Sequence, residues 1–236
     1  MFPRLLVFDL DGTLIDSRKD LANSVNAMLA HVGKPELPLG VVESYIGDGA
    51  TMLVRRALGD PEGDVHDEAE VNAALAFFLD YYRVHKLDFT TVYDGALDAL
   101  TSIRAEHPAL AMAVLTNKPV NPSRQICEHF GLNRFFFQNY GGNSFRTKKP
   151  DPTGLLALIA EASALAPAAP SITPAQTVMI GDSGVDILTA RNCGAHSIGC
   201  SYGFSPHTLT AAGPDALIDS PAQWPQTLAA LASAHG

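Results

Sequence analysis

The chain opens with a short apolar run that ends in acidic residues. Leu5, Leu6, Val7 and Phe8 are all apolar, and Asp9 follows directly. A wholly apolar run closed by a turn is typical of a strand buried on both faces, and such strands belong to parallel sheets. We therefore predict a parallel strand over residues 5–8.

The residues after this strand carry apolar positions at helical spacing. Helices are predicted over residues 17–33, 39–45, 50–58 and about 67–85. In the first of them, Ser17 and Asp20 are expected to form a capping box, and Gly33 is expected to end the helix. No convincing strand interrupts these helices, so residues 16–93 are predicted to be all-helical.

Beyond residue 94, apolar runs alternate with helical patterns. Strands are predicted at 111–116, 136–140, 177–180 and 196–199, with helices at 96–105, 122–130, 153–166 and 185–193. The Ala- and Pro-rich residues 162–176 are expected to form a surface loop, and Trp224 to lie in a final packing helix. The alternation indicates an α/β fold with a doubly wound, Rossmann-like parallel sheet. We predict a core domain from residues 1–15 and 94–236, with residues 16–93 inserted as a helical cap domain.

Charge and composition exclude several classes of function. The 236 residues include 25 acidic and 16 basic ones, a formal charge of −9, which argues against a nucleic-acid partner. The longest apolar runs, 73–79 and 109–115, have seven residues each and are too short to cross a membrane. No signal-peptide pattern precedes Asp9, and the three cysteines form no CxxC pair. These features predict a cytoplasmic protein whose mature chain starts near Met1.

Acidic residues follow two of the predicted strands, where open α/β sheets bind ligands. Asp9 and Asp11 are two residues apart, so in extended backbone both carboxylates project to one side, which repulsion disfavours without a cation or a shared proton. Asp182 and Asp186 are four residues apart at a predicted helix start, where the helix dipole favours negative charge. Oxygen ligands without paired His or Cys indicate Mg²⁺.

The same strand ends suit the transfer of a phosphoryl group. A carboxylate in line with phosphorus can attack it to give an aspartyl-phosphate, and Asp9 is the candidate nucleophile. Asp11 is placed to protonate the departing alkoxide and later to activate water. Thr116 and Lys149 can supply the hydrogen-bond donors and positive charge that the transferring group needs. Each residue alone also fits a turn, a cap or a solvated charge, and it is their order along the chain that favours catalysis.

Four segments resemble the signature motifs of haloacid dehalogenase-type phosphohydrolases, and the resemblance spans essentially the whole chain. They are DLDGTL at 9–14, TNK at 116–118, KPDP at 149–152 and GDSGVD at 181–186. The carboxylate at Asp11 resembles the phosphatase branch of this family and not the dehalogenases. The inserted helices resemble the cap that closes over the substrate and excludes water in such enzymes.

The resemblance implies a role for each matching charged residue. Asp9 is implied to be the nucleophile, Asp11 the acid/base and Lys149 the residue that neutralises charge. Magnesium is implied to bind the Asp9 carboxylate, the Asp11 main-chain carbonyl and Asp182, with Asp186 in support through water or Lys149. The adjacent Lys148 is not chosen, because the family's lysine directly precedes the proline.

Within the family, residues 45–50 and 53–58 together with the second and third motifs are most similar to phosphoglycolate phosphatases. The expected reaction is hydrolysis of 2-phosphoglycolate, a small phosphorylated metabolite, by a monomer or homodimer. Hydrolysis of a sugar phosphate, nucleotide, pyridoxal phosphate or pyrophosphate, phosphosugar mutase activity, and silent phosphate binding are the alternatives. The residues expected to bind substrate are Gly12, Thr13, Thr116, Asn117, Gly47 and Arg55.

Overall fold

A computed structural model describes residues 2–234 of the chain. The strands are β1 (Leu5–Phe8), β2 (Ile15–Asp16), β3 (Thr91–Val92), β4 (Ala111–Leu115), β5 (Gln138–Tyr140), β6 (Thr177–Gly181), β7 (His196–Cys200) and β8 (Ala216–Ile218). Within the described residues, six of them form one sheet in the order β5-β4-β1-β6-β7-β8, and every neighbouring pair is parallel. The α/β prediction with a parallel sheet is confirmed.

The described part of the chain contains ten α-helices besides the strands. They are α1 (Arg18–His31), α2 (Leu39–Glu43), α3 (Ala50–Leu58), α4 (Glu68–His85), α5 (Ala96–Glu106), α6 (Val120–His129), α7 (Thr153–Ala164), α8 (Gly184–Cys193), α9 (Pro206–Ala212) and α10 (Trp224–Ala234). No helix between residues 2 and 234 combines the length and the apolar character that crossing a bilayer requires.

Both faces of the central strand β1 are covered, which explains its wholly apolar sequence. Phe8 lies in one apolar cluster and packs edge-on against Trp224 of α10, with ring centres 5.2 Å apart. Val7, on the opposite face, belongs to a second cluster with Leu155 of α7. A strand inside a parallel sheet needs apolar residues on both faces.

Helices α1 to α4 enclose a third apolar cluster that is separate from the two at the sheet. Its fully buried side chains include Val25 and Met28 of α1, Val54 of α3, and Val71 of α4. We call this helical block, residues 16–93, the insertion. Its assignment as an independent cap domain stays a prediction.

The prediction that residues 16–93 are all-helical is wrong at both ends. Strands β2 and β3 pair antiparallel, with Ile15 opposite Val92 and Asp16 opposite Thr91. Each strand has two residues, too few to show the alternation by which a strand is identified in a sequence. This small ladder joins the entry and the exit of the insertion.

The predicted capping box at the start of α1 is also wrong. Ser17 Oγ donates to Asp11 Oδ1 at 2.5 Å, and the Asp20 carboxylate accepts from the main-chain N–H groups of Phe89 and Thr90. Neither side chain caps the helix, since Ser17 contacts a residue before β2 and Asp20 contacts residues about 70 positions away. Helix α1 ends at His31, two residues before the predicted Gly33.

Most other elements lie within a few residues of their predicted bounds, whereas β8 and α9 were not predicted. Strand β8 has three residues, and Leu217 at its centre is 59% exposed, so it lacks a buried apolar run. Residues 164–171 are exposed, in agreement with the surface loop predicted there. Ile172 then returns to the core.

Candidate active site

Three central strands end next to one another and place polar residues at the same edge of the sheet. Asp9 follows β1, Thr116 follows β4, and Asp182 follows β6. Strands β4, β1 and β6 are neighbours and parallel, so these ends meet. All three side chains are buried. Polar residues buried at converging strand ends are typical of ligand sites in α/β proteins.

A cluster of three carboxylates and one ammonium group lies at this edge. Asp9, Asp182 and Asp186 are buried, and one oxygen of each lies within 4.8 Å of the others. Lys149 Nζ lies 2.8 Å from Asp9 Oδ1 and 2.6 Å from Asp186 Oδ1. We call these four residues the acidic cluster.

Short hydrogen bonds fix two of these carboxylates. Asp186 Oδ2 accepts from the main-chain N–H and the hydroxyl of Ser183, at 3.1 and 2.7 Å, at the start of α8. Asp182 Oδ2 accepts from the main-chain N–H of Phe204 at 2.7 Å. The carboxylates are therefore held in place before any ligand arrives.

Two glycines let the main chain approach the acidic cluster. Gly12 has a φ of +83°, and a Cβ on it would lie 2.2 Å from Asp182 Oδ2. A Cβ on Gly181 would lie 2.2 Å from Asp186 Cγ. A larger residue at either position would displace a carboxylate.

Burial and mutual repulsion shift the pKa values in the acidic cluster. Burial raises the pKa of Asp9 to about 6, although the Lys149 charge opposes this. Burial, with the charges of Asp186 and Asp9, raises the pKa of Asp182 well above its ordinary value. Burial disfavours the charged form of Lys149, yet the charges of Asp186 and Asp9 raise its pKa. One ammonium thus faces three carboxylates, a set of oxygen donors that a hard divalent cation would satisfy.

The side chain of Asp11 does not join the acidic cluster. Its carboxylate accepts from Lys118 Nζ through both oxygens, at 2.9 and 3.0 Å, and from Ser17 Oγ. The Lys118 ammonium also lies 4.7 Å from the centre of the Tyr82 ring in α4. The two acidic residues of the first motif therefore have different surroundings.

Asn117 connects the sheet edge to the insertion. Its Nδ2 donates to the Gly47 carbonyl at 3.0 Å and to the Lys149 carbonyl at 3.1 Å. At Gly49, a Cβ would lie 2.9 Å from the Asn117 carbonyl oxygen. The loop that contains these two glycines packs directly on the end of β4.

A cavity that is open to solvent lies between the sheet edge and the insertion. The sheet edge supplies its charged and polar lining, including Asp9, Asp11, Thr116, Asn117, Lys118 and Asp182. The insertion supplies a mainly apolar wall, including Ile46, Gly47, Gly49, Leu53, Phe78 and Tyr82. The polar and apolar walls face each other across the space that a substrate would occupy.

Three residues expected to bind substrate do not line this cavity. Gly12 lies against Asp182, and Thr13 is fully buried, with a hydroxyl that has no hydrogen-bond partner among the described residues. Arg55 pairs with Asp60 at 2.8 Å and with Glu68. Arg55 follows Leu53, a cavity residue on the same helix, by two positions, about 200° around the helix, so it faces away.

Sequence reasoning missed Lys118 and Tyr82 as site residues. Lys118 belongs to a recognised motif and lies two positions after Thr116 in the same strand-end loop, which was the available signal. Tyr82 sits in a helix whose periodicity indicates burial but not which surface it contacts. Only the packing of α4 over the sheet edge shows that its ring faces Lys118.

Comparison with known proteins assigns this chain to a known family. Residues 6–200 match the family model described as haloacid dehalogenase-like hydrolase. The chain is 39% identical over 221 residues to a phosphoglycolate phosphatase of Pseudomonas putida, covering 92% of this chain and 76% of that protein. It is 39% identical over 209 residues to a phosphoglycolate phosphatase of Psychrobacter arcticus, covering 87% of this chain and 86% of that protein.

A solved structure supports the same assignment. The crystal structure of a predicted phosphoglycolate phosphatase from Haemophilus somnus has a TM-score of 0.85 and 29% identity, covering 95% of this chain and 97% of that one. The sheet order, the positions of the four motifs and these likenesses agree. This chain belongs to the haloacid dehalogenase-like hydrolase family.

Proposed function

We propose that this protein is a magnesium-dependent phosphomonoesterase that hydrolyses 2-phosphoglycolate to glycolate and phosphate. The observation that carries the proposal is the acidic cluster at the floor of a cavity roofed by the insertion. The relatives described as phosphoglycolate phosphatases support the choice of substrate.

Asp9 is the proposed nucleophile. It lines the cavity, and its carboxylate lies beside the Lys149 ammonium. Attack on phosphorus by this carboxylate forms the aspartyl-phosphate and breaks the bond to the glycolate oxygen. The Lys149 charge favours the ionised form of Asp9, which is the form that attacks, and offsets charge on the transferring group.

Asp11 is the proposed acid and base. Its carboxylate also lines the cavity but is held away from the acidic cluster by Lys118 and Ser17. It protonates the departing glycolate oxygen in the first step. In the second step it takes a proton from the water that attacks the aspartyl-phosphate and releases phosphate.

Asp9, Asp182 and the main-chain carbonyl of Asp11 are the proposed magnesium ligands, with Asp186 supporting them through Lys149. These residues fit a magnesium ion because buried carboxylates outnumber the ammonium group, and because all of the donors are oxygens. Magnesium, when bound, supplies positive charge for the phosphoryl oxygens.

Thr116 and Asn117 are the proposed contacts of the phosphoryl group, with Gly47 as a cavity wall on the insertion side. All three line the cavity. The apolar residues of the insertion cover one side of the reacting group and reduce its contact with bulk water. The cytoplasmic location and the choice between monomer and homodimer stay predictions.

The test is phosphate release from 2-phosphoglycolate beside sugar phosphates, nucleotides, pyridoxal phosphate and pyrophosphate, with magnesium or EDTA. Wild type should release phosphate fastest from 2-phosphoglycolate, only with magnesium, and Asp9→Asn should be inactive. Asp98→Asn, at an exposed position of α5, is the matched control and should keep activity. A different leading substrate would refute the substrate assignment, and no hydrolysis of any compound would refute the phosphatase.

A further inference from the structure

The charges of the cavity wall are unequally distributed. Among the described residues that line the cavity, three are acidic, namely Asp9, Asp11 and Asp182, and Lys118 alone has a cationic side chain. Lys149 belongs to the acidic cluster but is not part of this wall. A substrate with a second anionic group therefore meets only one cationic side chain of the protein inside the cavity.

The contacts of the Lys118 ammonium leave it able to bind an anion. The side chain is 4% exposed, and its ammonium contacts the two Asp11 oxygens and the face of the Tyr82 ring. An ammonium group has three N–H donors, and the two Asp11 oxygens accept from two of them, which leaves one donor for another acceptor.

Lys118 lies next to the residue that is proposed to protonate the leaving group. Asp11 is the proposed acid for the departing oxygen, and Lys118 contacts both of its carboxylate oxygens. In 2-phosphoglycolate, one carbon separates that oxygen from the carboxylate. A cation that contacts the acid therefore lies within reach of this carboxylate, whereas Lys149 lies beside the nucleophile.

We propose that Lys118 is the specificity-determining residue, whose ammonium binds an anionic group next to the ester oxygen of the leaving group. This inference rests on the proposed function, and it states which residue selects the substrate. The part of the cavity wall that the insertion supplies, with Leu53 and Phe78, offers no charge to such a group. For esters with an uncharged leaving group, Lys118 contributes only by positioning Asp11.

The test compares 2-phosphoglycolate with ethyl phosphate, in which a methyl group replaces the carboxylate. Lys118→Met should lower kcat/KM for 2-phosphoglycolate about tenfold more than for ethyl phosphate, since a charge-assisted hydrogen bond is lost with one substrate only. Most of the difference should appear in KM. Lys118→Arg should restore part of the preference.

Lys19→Met is the matched control, because Lys19 is an exposed lysine that also lies over an aromatic ring, that of Phe89. It should leave the ratio of the two substrates unchanged. Equal losses with both substrates in Lys118→Met would overturn the inference and leave Lys118 as a positioning residue for Asp11. The inference would also be overturned if the wild type had the same kcat/KM for ethyl phosphate and for 2-phosphoglycolate. If the wild type hydrolysed neither substrate, the proposed function would be overturned instead.

A second measurement keeps the inference testable if Lys118→Met does not fold. Glycolate, the product that retains the carboxylate, should inhibit the wild type competitively, and ethanol at the same concentration should not. Lys118→Gln, which keeps a polar side chain, should weaken inhibition by glycolate about tenfold. Equal inhibition of Lys118→Gln and wild type would contradict the role of the charge.

Discussion

The two walls of the cavity, formed by the sheet edge and by the insertion, differ in the kind of side chain that they present. At the sheet edge, the charged side chains are buried or half-buried and paired with other groups, as Asp186 is with Lys149 and Ser183. The insertion presents apolar side chains and glycines, and it reaches the edge through few polar contacts, such as that of Gly47 with Asn117. In the proposed function, the sheet edge supplies the reacting groups, and we expect access and selection to depend on the contacts between the two walls.

The largest loss of stability and activity is expected from Lys149→Met at the sheet edge. Removal of the ammonium leaves buried carboxylates without their partner, so the free energy of unfolding should fall by about 3 kcal/mol, and activity should be lost. Urea denaturation at neutral pH measures the stability. Lys148→Met is the matched control, since the neighbouring lysine is exposed, and equal stability of the two variants would refute this account.

Asn117→Ala tests the connection between the two walls. The variant loses the hydrogen bonds to the Gly47 and Lys149 carbonyls, each worth about 1 kcal/mol, so kcat/KM should fall about tenfold with the fold retained. Steady-state kinetics and thermal denaturation measure the two quantities. Asn192→Ala is the control, because Asn192 also donates to a main-chain carbonyl but outside the cavity. Unchanged kinetics in Asn117→Ala would contradict the role of this contact.

A smaller effect, confined to the insertion, is expected from Arg55→Met. The variant breaks the ion pairs with Asp60 and Glu68 and should lower the melting temperature. KM for the substrate should not change, because Arg55 does not line the cavity. A raised KM with an unaltered melting temperature would restore Arg55 as a substrate-binding residue.

The smallest effect concerns the acid stability of the insertion. Hydrogen bonds from the main-chain N–H groups of residues 64–66, foremost Val65, together with Arg55, hold the pKa of Asp60 below its ordinary value of 3.8. A lowered pKa in the folded state contributes stability above pH 3.8, which is lost as the pH falls through the folded value. Asp60→Asn should be less stable at pH 7 and should lose less stability on acidification. Parallel curves for variant and wild type would contradict this.

Sequence patterns predicted the sheet edge better than the insertion, for a physical reason. Apolar runs mark buried parallel strands, and the ends of neighbouring strands must converge, so the meeting of Asp9 and Asp182 follows from local information. Contacts across the insertion depend on how helices pack. Helical periodicity predicts that α3 is amphipathic, but it does not show that Arg55 turns to Asp60 while Leu53 faces the cavity.

Residues that act through distant partners were missed for the same reason. Asp20 has the sequence context of a capping residue, yet it binds main-chain N–H groups nearly 70 positions away at Phe89 and Thr90. Lys118 lies in a recognised motif, but its partners Asp11 and Tyr82 come from two other parts of the chain. A single sequence shows which side chains are available and leaves their pairing to the tertiary structure.

The most direct test of the central claim is to trap the phosphoryl group on Asp9. Wild type is quenched with acid during turnover of 2-phosphoglycolate with magnesium, and its peptides are analysed by mass spectrometry. The account predicts one phosphoryl group on the peptide that contains Asp9, its removal by hydroxylamine, and its absence from Asp9→Asn. A phosphoryl group on another residue, or phosphate release by Asp9→Asn at the wild-type rate, would contradict the account.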